Sequence, residues 1–333
     1  MSANPKIAIA GAGSIGCYVG GCLTLAGRDV TLLARPRVAQ AAERGLRITD
    51  LEGRDRVAKI SATDDPATAF TGTDIVLVTV KSGQTSEIAE LIERHAPPRA
   101  KIVSLQNGVE NVERIVAATT TSQHPALAGM VGFNVVQSGD AQLRFHRATA
   151  GDVIIQSGHS IGALLDVDGL PTKEAADMAP IQWGKLLLNL NNALNALSGL
   201  PLAQQLADRD WRRIFAAQMD EALGALAAAK IKPAPLAGAP PALLPHILRL
   251  PNWAFTRIAR RMLAIDPEAR SSMWEDLQRG RLTEIDELQG AVERLGHAHS
   301  VKTPANTHIA GLIHQAETAG KGSPQLTAGQ ARP

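Results

Sequence analysis

The stretch Lys6-Ile7-Ala8-Ile9-Ala10-Gly11-Ala12-Gly13-Ser14-Ile15-Gly16 reads as a buried strand that turns directly into a helix. Residues 7–10 form a short apolar run, as a strand covered on both faces requires. The glycines that follow have G-x-G-x-x-G spacing, and each has a separate task. Gly11 permits the tight turn, Gly13 lets backbone approach a pyrophosphate, and Gly16 lets helix pack closely on strand. A helix that opens here points unpaired N–H groups and partial positive charge at phosphates, so Ala12, Ser14 and Ile15 join the glycines in one phosphate loop. A glycine turn without a ligand is the plainer alternative. The position at the first strand–turn–helix favours the loop.

Further along, 29–33 (DVTLL), 74–80 (DIVLVTV) and 101–105 (KIVSL) read as buried strands, with two more near 126–136 and 152–156. Between them, 17–26, 37–44 and 86–95 read as helices. Strand–helix alternation of this kind implies an α/β unit with a mostly parallel, doubly wound sheet covered on both faces. After Pro180 the β-branched runs stop, and 183–197, 210–230, 253–263 and 283–295 read as Ala- and Leu-rich helices. The expected organisation is a dinucleotide-binding unit over 1–175, an all-α unit over 176–318, and a Gly/Ser/Pro/Gln-rich tail over 319–333 that is expected to be flexible.

The composition agrees with an ordinary globular protein: 333 residues, 45% hydrophobic and 20% charged. Lys plus Arg number 34 against 32 Asp plus Glu, which leaves no electrostatic footprint for nucleic acid and no polybasic membrane patch. No run approaches the roughly 20 apolar residues of a membrane span. The two cysteines, Cys17 and Cys22, build neither a disulfide framework nor a zinc site. They read as packing residues on the first helix, and the cytoplasm is the default location. His297 and His299 lack a further spaced ligand, so no metal is expected.

Which dinucleotide binds is decided at the tip of the second strand. An NAD-binding unit usually puts Asp or Glu there to hold the ribose 2′-OH. Here the sequence is Leu32-Leu33-Ala34-Arg35, which offers a cation suited to a 2′-phosphate and implies NADP. A solvated loop cation is the other reading of Arg35. Ligands in open parallel sheets sit beyond the carboxyl ends of the strands. The third strand ends in Val80-Lys81-Ser82-Gly83-Gln84 and the fourth in Gln106-Asn107-Gly108. Lys81 and Asn107 are thus placed along the pyrophosphate cleft, although Asn-Gly alone can be a turn.

In the second half, Lys185, Asn189 and Asn192 share a helix face that is otherwise leucine-rich, while Asn191 and Asn195 point elsewhere. Buried Lys and Asn need partners, which makes the stripe a poor core and a good site. A lysine that snorkels out along its stem is the alternative. Downstream, Gly280 can end a short helix and Thr283 can cap the next, with Glu284 and Asp286 as first-turn carboxylates. Spacing alone does not bring Glu284 to Lys185.

Taken together, these segments resemble the ketopantoate reductase family. The matches are 11–16, Val80-Lys81 with Gln84, Gln106-Asn107-Gly108, Trp183 with Lys185 and Asn189, Ser272-Met273, and Gly280 through Thr283-Glu284-Ile285-Asp286. The resemblance implies a Rossmann domain, an all-helical domain, and NADPH-dependent reduction of a 2-keto acid. 2-Dehydropantoate is the first candidate substrate, within pantothenate and coenzyme A biosynthesis. It implies Lys185 and Glu284 as catalytic residues, and Asn107, Asn189, Asn192 and Ser272 as substrate-binding ones. It extends the cofactor set from the glycine loop to Arg35, Lys81, Gln84, Asn107 and Glu284. Ala193 and Ala269 depart from the family's asparagines, so the 2-keto acid is left open. A family member acting on another 2-keto acid and a non-catalytic NADP-binding sensor are the competing readings; the partner is a small molecule, with a homodimer left open.

Overall fold

The computed structural model describes residues 4–121, 123–139, 142–235, 239–258 and 268–333. The chain forms two compact units, Met1–Met178 and Ala179–Pro333.

Among its described residues the first unit contains twelve strands: β1 (Lys6–Ala10), β2 (Asp29–Leu33), β3 (Leu46–Asp50), β4 (Asp55–Ala58), β5 (Ser61–Thr63), β6 (Ile75–Val78), β7 (Lys101–Ser104), β8 (Ala126–Val131), β9 (Val135–Ser138), β10 (Arg144–Arg147), β11 (Val153–Gln156) and β12 (Thr172–Ala175). Eight form one sheet in the order β12-β11-β8-β7-β6-β1-β2-β5. Every pair in it is parallel except β8 with β11. From β1 the chain first moves outward to β2 and β5, then returns to β6 on the other side. The strand order therefore reverses between β1 and β6, and that is where such sheets bind ligands.

The alternation in β1 explains the two faces. Ile7 and Ile9 face one core with Cys17, Tyr18, Leu23 and Phe145. Ala8 and Ala10 face the other, with Phe70, Ile88, Ile92 and Ile115 from the helices Pro66–Phe70, Thr85–His95 and Asn111–Ala118. The Ser14–Leu25 helix covers the isoleucine face. Cys17 and Cys22 are both free and buried there.

A second sheet, ordered β4-β3-β10-β9, was not expected from sequence. Its strands mix polar with apolar residues, as in Arg144-Phe145-His146-Arg147, where Phe145 and Arg147 are buried and Arg144 is exposed. β3 pairs in parallel with β10, far along the chain, so no local pattern announces it. The single strand expected over 126–136 is two, β8 and β9.

The second unit is helical: Ala179–Asn189, Asn191–Ser198, Leu202–Ala207, Arg209–Ala228, Leu244–Leu248, Asn252–Ile258, Ser272–Gln278, Ile285–Ala298 and Pro304–Ala319. The longest buries Trp211, Ile214, Phe215, Met219, Ala222 and Leu226, an apolar stripe at helical spacing. Arg212, fully buried, donates to the carbonyls of Leu206, Ala207, Leu248 and Leu250 and to Asn252 Oδ1. It thereby satisfies carbonyls that the short flanking helices leave open.

Three expectations differ from this arrangement. The helix expected over 183–197 is divided at Leu190. Of the one expected over 253–263, residues 259–263 lie outside the described residues. The end of the chain, read from composition as flexible, packs on the helical unit: Leu326 N donates to Leu197 O at 2.8 Å and Ala331 is fully buried. Its alanines and backbone amides find partners that composition does not reveal.

Candidate functional site

The first unit assembles its polar residues at the carboxyl ends of β1, β2, β6 and β7. Gly11 has φ +116°. A Cβ there would lie 2.6 Å from Val80 Cγ1 and 2.7 Å from Val80 N. At Gly16 it would lie 2.1 Å from Gly11 O and 2.6 Å from Thr79 Oγ1. Both positions thus demand glycine. Gly13 is different: a Cβ there would meet nothing within 4 Å. Gly13 is the N-cap of the Ser14–Leu25 helix, with no side-chain cap. The space beside Gly13, at the N-terminus of this helix, is therefore open, which fits an anionic pyrophosphate.

Ala12 N donates to Leu33 O at 3.1 Å, which brings the glycine loop beside the end of β2. Two residues on, exposed Arg35 is the N-cap of the Pro36–Glu43 helix. Lys81 precedes a single helical turn, Ser82–Gln84, and Gln84 is exposed. Asn107 follows β7 and is half-buried.

Sequence reasoning missed the polar network beneath Lys81 and Asn107. Asn107 O accepts from Ser82 Oγ and from Asn111 Nδ2, each at 2.6 Å. Gln106 Nε2 donates to Val80 O at 3.1 Å and to Thr85 Oγ1 at 2.8 Å. Thr85 Oγ1 donates to Asn111 Oδ1 at 3.0 Å. Ser82, Thr85, Gln106 and Asn111 are all buried. They tie the tips of β6 and β7 together. The signal in the sequence was a run of polar residues immediately after an apolar strand, each of which must find a partner when buried.

In the second unit, Lys185 and Asn189 lie one turn apart on the Ala179–Asn189 helix, and Asn192 lies in the first turn of the next. All three are half-buried. Asn191 and Asn195 are structural. Asn191 exchanges two 3.0 Å bonds with Gln205, and Asn195 holds Leu200 O and Ser271 N. Gly184 admits the chain at Ala234, whose carbonyl oxygen would lie 2.4 Å from a Cβ. Ala193, one of the two departures from the resemblance, is fully buried.

Burial pushes the Lys185 ammonium down from 10.5 to about 8, while the carboxylate of Glu284 acts in the opposite sense. Tertiary folding therefore brings together two groups that spacing could not. Glu284 is the N-cap of the Ile285–Ala298 helix. Its neighbours are clamped: Thr283 N donates to Glu317 Oε1 at 2.7 Å, and His314 contacts both Glu317 and Asp286. Thr283 Oγ1 accepts from Ile285 N. Ser272 is exposed at the start of the Ser272–Gln278 helix, whereas Ser271 is buried and caps it. His297 and His299 close the Ile285–Ala298 helix and are exposed.

Among the described residues no group of three or more His, Cys, Asp or Glu is placed to hold a metal ion. Among them, too, no helix is long and apolar enough to cross a membrane.

Comparison with known proteins gives one consistent picture. Residues 7–159 match the family "Ketopantoate reductase PanE/ApbA" and residues 177–317 match "Ketopantoate reductase PanE/ApbA C terminal". A 2-dehydropantoate 2-reductase of Halobacterium salinarum is 26% identical over 95% of this chain and 100% of its own. A solved PanE/ApbA family ketopantoate reductase from Ralstonia eutropha JMP134 superposes with TM-score 0.80 at 30% identity, covering 95% of this chain and 99% of that one. D-mandelate dehydrogenase, solved with NADH and anilino(oxo)acetate, shares the fold at TM-score 0.78 and 21% identity, over 95% and 99% of the two chains.

Proposed function

Because the chain belongs to the ketopantoate reductase family of oxidoreductases, we propose that it reduces the C2 carbonyl of a 2-keto acid with NADPH, with 2-dehydropantoate as first candidate and Lys185 as proton donor. The observation that carries this reading is the Lys185 ammonium, lowered to about 8 by burial and acted on by Glu284. A proton donor works best with a pKa near the working pH.

The cofactor would be held by the loop 11–16 through pyrophosphate, by Arg35 through the 2′-phosphate, and by Lys81, Gln84, Asn107 and Glu284 elsewhere. When bound, reduced nicotinamide supplies a hydride. Hydride addition at C2 leaves negative charge on the carbonyl oxygen. Lys185 Nζ hydrogen-bonds that oxygen as charge develops and then transfers its proton to it, giving the 2-hydroxy acid. The neutral amine regains a proton from solvent. Glu284 orients the ammonium and keeps it charged before the transfer. Asn189 and Asn192 hold the substrate's carbonyl or hydroxyl, and Ser272 its carboxylate.

NADPH oxidation followed across a panel of 2-keto acids tests the reading. Turnover is expected with 2-dehydropantoate and absent in Lys185→Ala. Preference for another 2-keto acid would move the substrate and keep the chemistry. Tight NADPH binding without turnover on any of them would indicate a sensor.

A further inference from the structure

We propose that Gln289 is a positioning residue that fixes the helix introduced by Glu284 against the end of the helix bearing Lys185. The proposal rests on the reading of Lys185 as proton donor. Gln289 is fully buried on the Ile285–Ala298 helix, among the buried residues Leu288, Ala291 and Val292. Its Nε2 donates to Leu190 O and to Gln218 Oε1, each at 2.9 Å. Leu190 is the joint between Ala179–Asn189 and Asn191–Ser198, directly after Asn189. One amide thus ties the element that Glu284 opens to the joint that ends the element carrying Lys185 and Asn189.

Packing alone does not account for an amide at this position. A leucine or methionine would fill the space without a polar group to satisfy. The arrangement also leaves polar atoms unmatched: Gln289 Oε1, Gln218 Nε2 and Asn306 Oδ1 are buried without a hydrogen-bond partner. Each such atom lowers stability, because its desolvation is not offset by a hydrogen bond. A helical core that tolerates this cost at one cluster keeps something other than stability, and here the cluster lies on the connection between the proposed acid and its carboxylate partner.

The test compares Gln289→Met, which removes the tie, with Gln218→Met, which leaves the bond to Leu190 intact. Melting temperature, the pH profile of kcat/KM, and the pH dependence of Lys185 labelling by an amine-selective reagent in the cofactor-free protein are measured on both. In Gln289→Met, kcat is expected to fall by up to roughly 10²-fold with KM little changed, because misplacement by about 1 Å costs that much. Weaker influence of Glu284 on Lys185 moves the basic limb of the profile, and the labelling midpoint, to lower pH. Gln218→Met is expected to melt earlier but keep both at wild-type values. Folded Gln289→Met with an unshifted profile and labelling midpoint overturns the proposal, as does an equal shift in Gln218→Met. Should Gln289→Met not fold, Gln289→Asn, which keeps the amide but is one methylene short of Leu190, carries the same expectations. Near-normal turnover in Lys185→Ala would instead remove the proton-donor reading, whatever the Gln289 variants do.

Discussion

The hydroxyl of Ser271 donates to the backbone carbonyl of Asn192 at 3.0 Å. The same oxygen accepts from Trp274 N and so caps the Ser272–Gln278 helix. Ser272 and Asn192, both proposed substrate contacts, are therefore held in fixed relation by Ser271. Ser271→Ala is expected to destabilise the protein by about 0.5–2 kcal/mol, the worth of the lost helix cap. Ser272→Ala, at an exposed position, is expected to raise KM and leave stability unchanged. Chemical denaturation and steady-state kinetics on the two variants separate these effects.

As the proposed proton donor, Lys185 is expected to set the pH dependence. Reduction needs the protonated amine, so kcat/KM for the keto acid is expected to fall as pH rises through about 8, the value to which burial lowers this group. Oxidation of the 2-hydroxy acid needs the neutral amine and should rise through the same pH. Lys185→Met should lose roughly 10²- to 10⁴-fold in turnover and lose this limb as well.

Arg35 is expected to select the phosphorylated dinucleotide. Arg35→Ala should weaken NADPH by about 1.5–3 kcal/mol, the worth of hydrogen bonds to a charged group. NADH affinity should not change. Titration of both dinucleotides by fluorescence checks the difference, and equal losses for the two would detach Arg35 from the 2′-phosphate.

The glycines of the loop are expected to behave oppositely. A Cβ at Gly16 would strike backbone at Gly11 O, so Gly16→Ala should cost about 1–3 kcal/mol of stability. A Cβ at Gly13 strikes nothing, so Gly13→Ala should melt normally yet bind dinucleotide on the order of tenfold more weakly. Calorimetric melting with and without NADPH distinguishes the two.

His314 couples stability to pH. It faces Glu317 and Asp286, whose carboxylates hold its pKa above the ordinary 6.5 despite an opposing contribution from burial. The imidazolium therefore stabilises the folded state fully below about pH 6.5, and that contribution is lost as pH rises through the raised folded value. Half-exposed, the group should give a small effect. Melting temperature against pH should fall across this window in the wild type and flatten in His314→Gln.

Much of the first unit is legible in the order of residues. β1, the glycine turn and the Ser14–Leu25 helix follow from spacing among neighbours, because strand burial, the left-handed turn at Gly11 and close helix approach at Gly16 are local demands. The Lys185–Asn189 pair is legible for the same reason, since one helical turn separates them. The half-polar strands of the β4-β3-β10-β9 sheet were not, because each is stable only against partners distant in the chain.

The sequence by itself determined which residues can do chemistry and on which local elements they sit. Only the tertiary structure decided that Glu284 acts on Lys185, that Ser271 rather than Ser272 is buried, and that the chain after Ala319 packs on the helical unit. Periodicity and turn chemistry act over a few residues, whereas desolvation and the pairing of buried polar groups depend on what distant segments bring alongside.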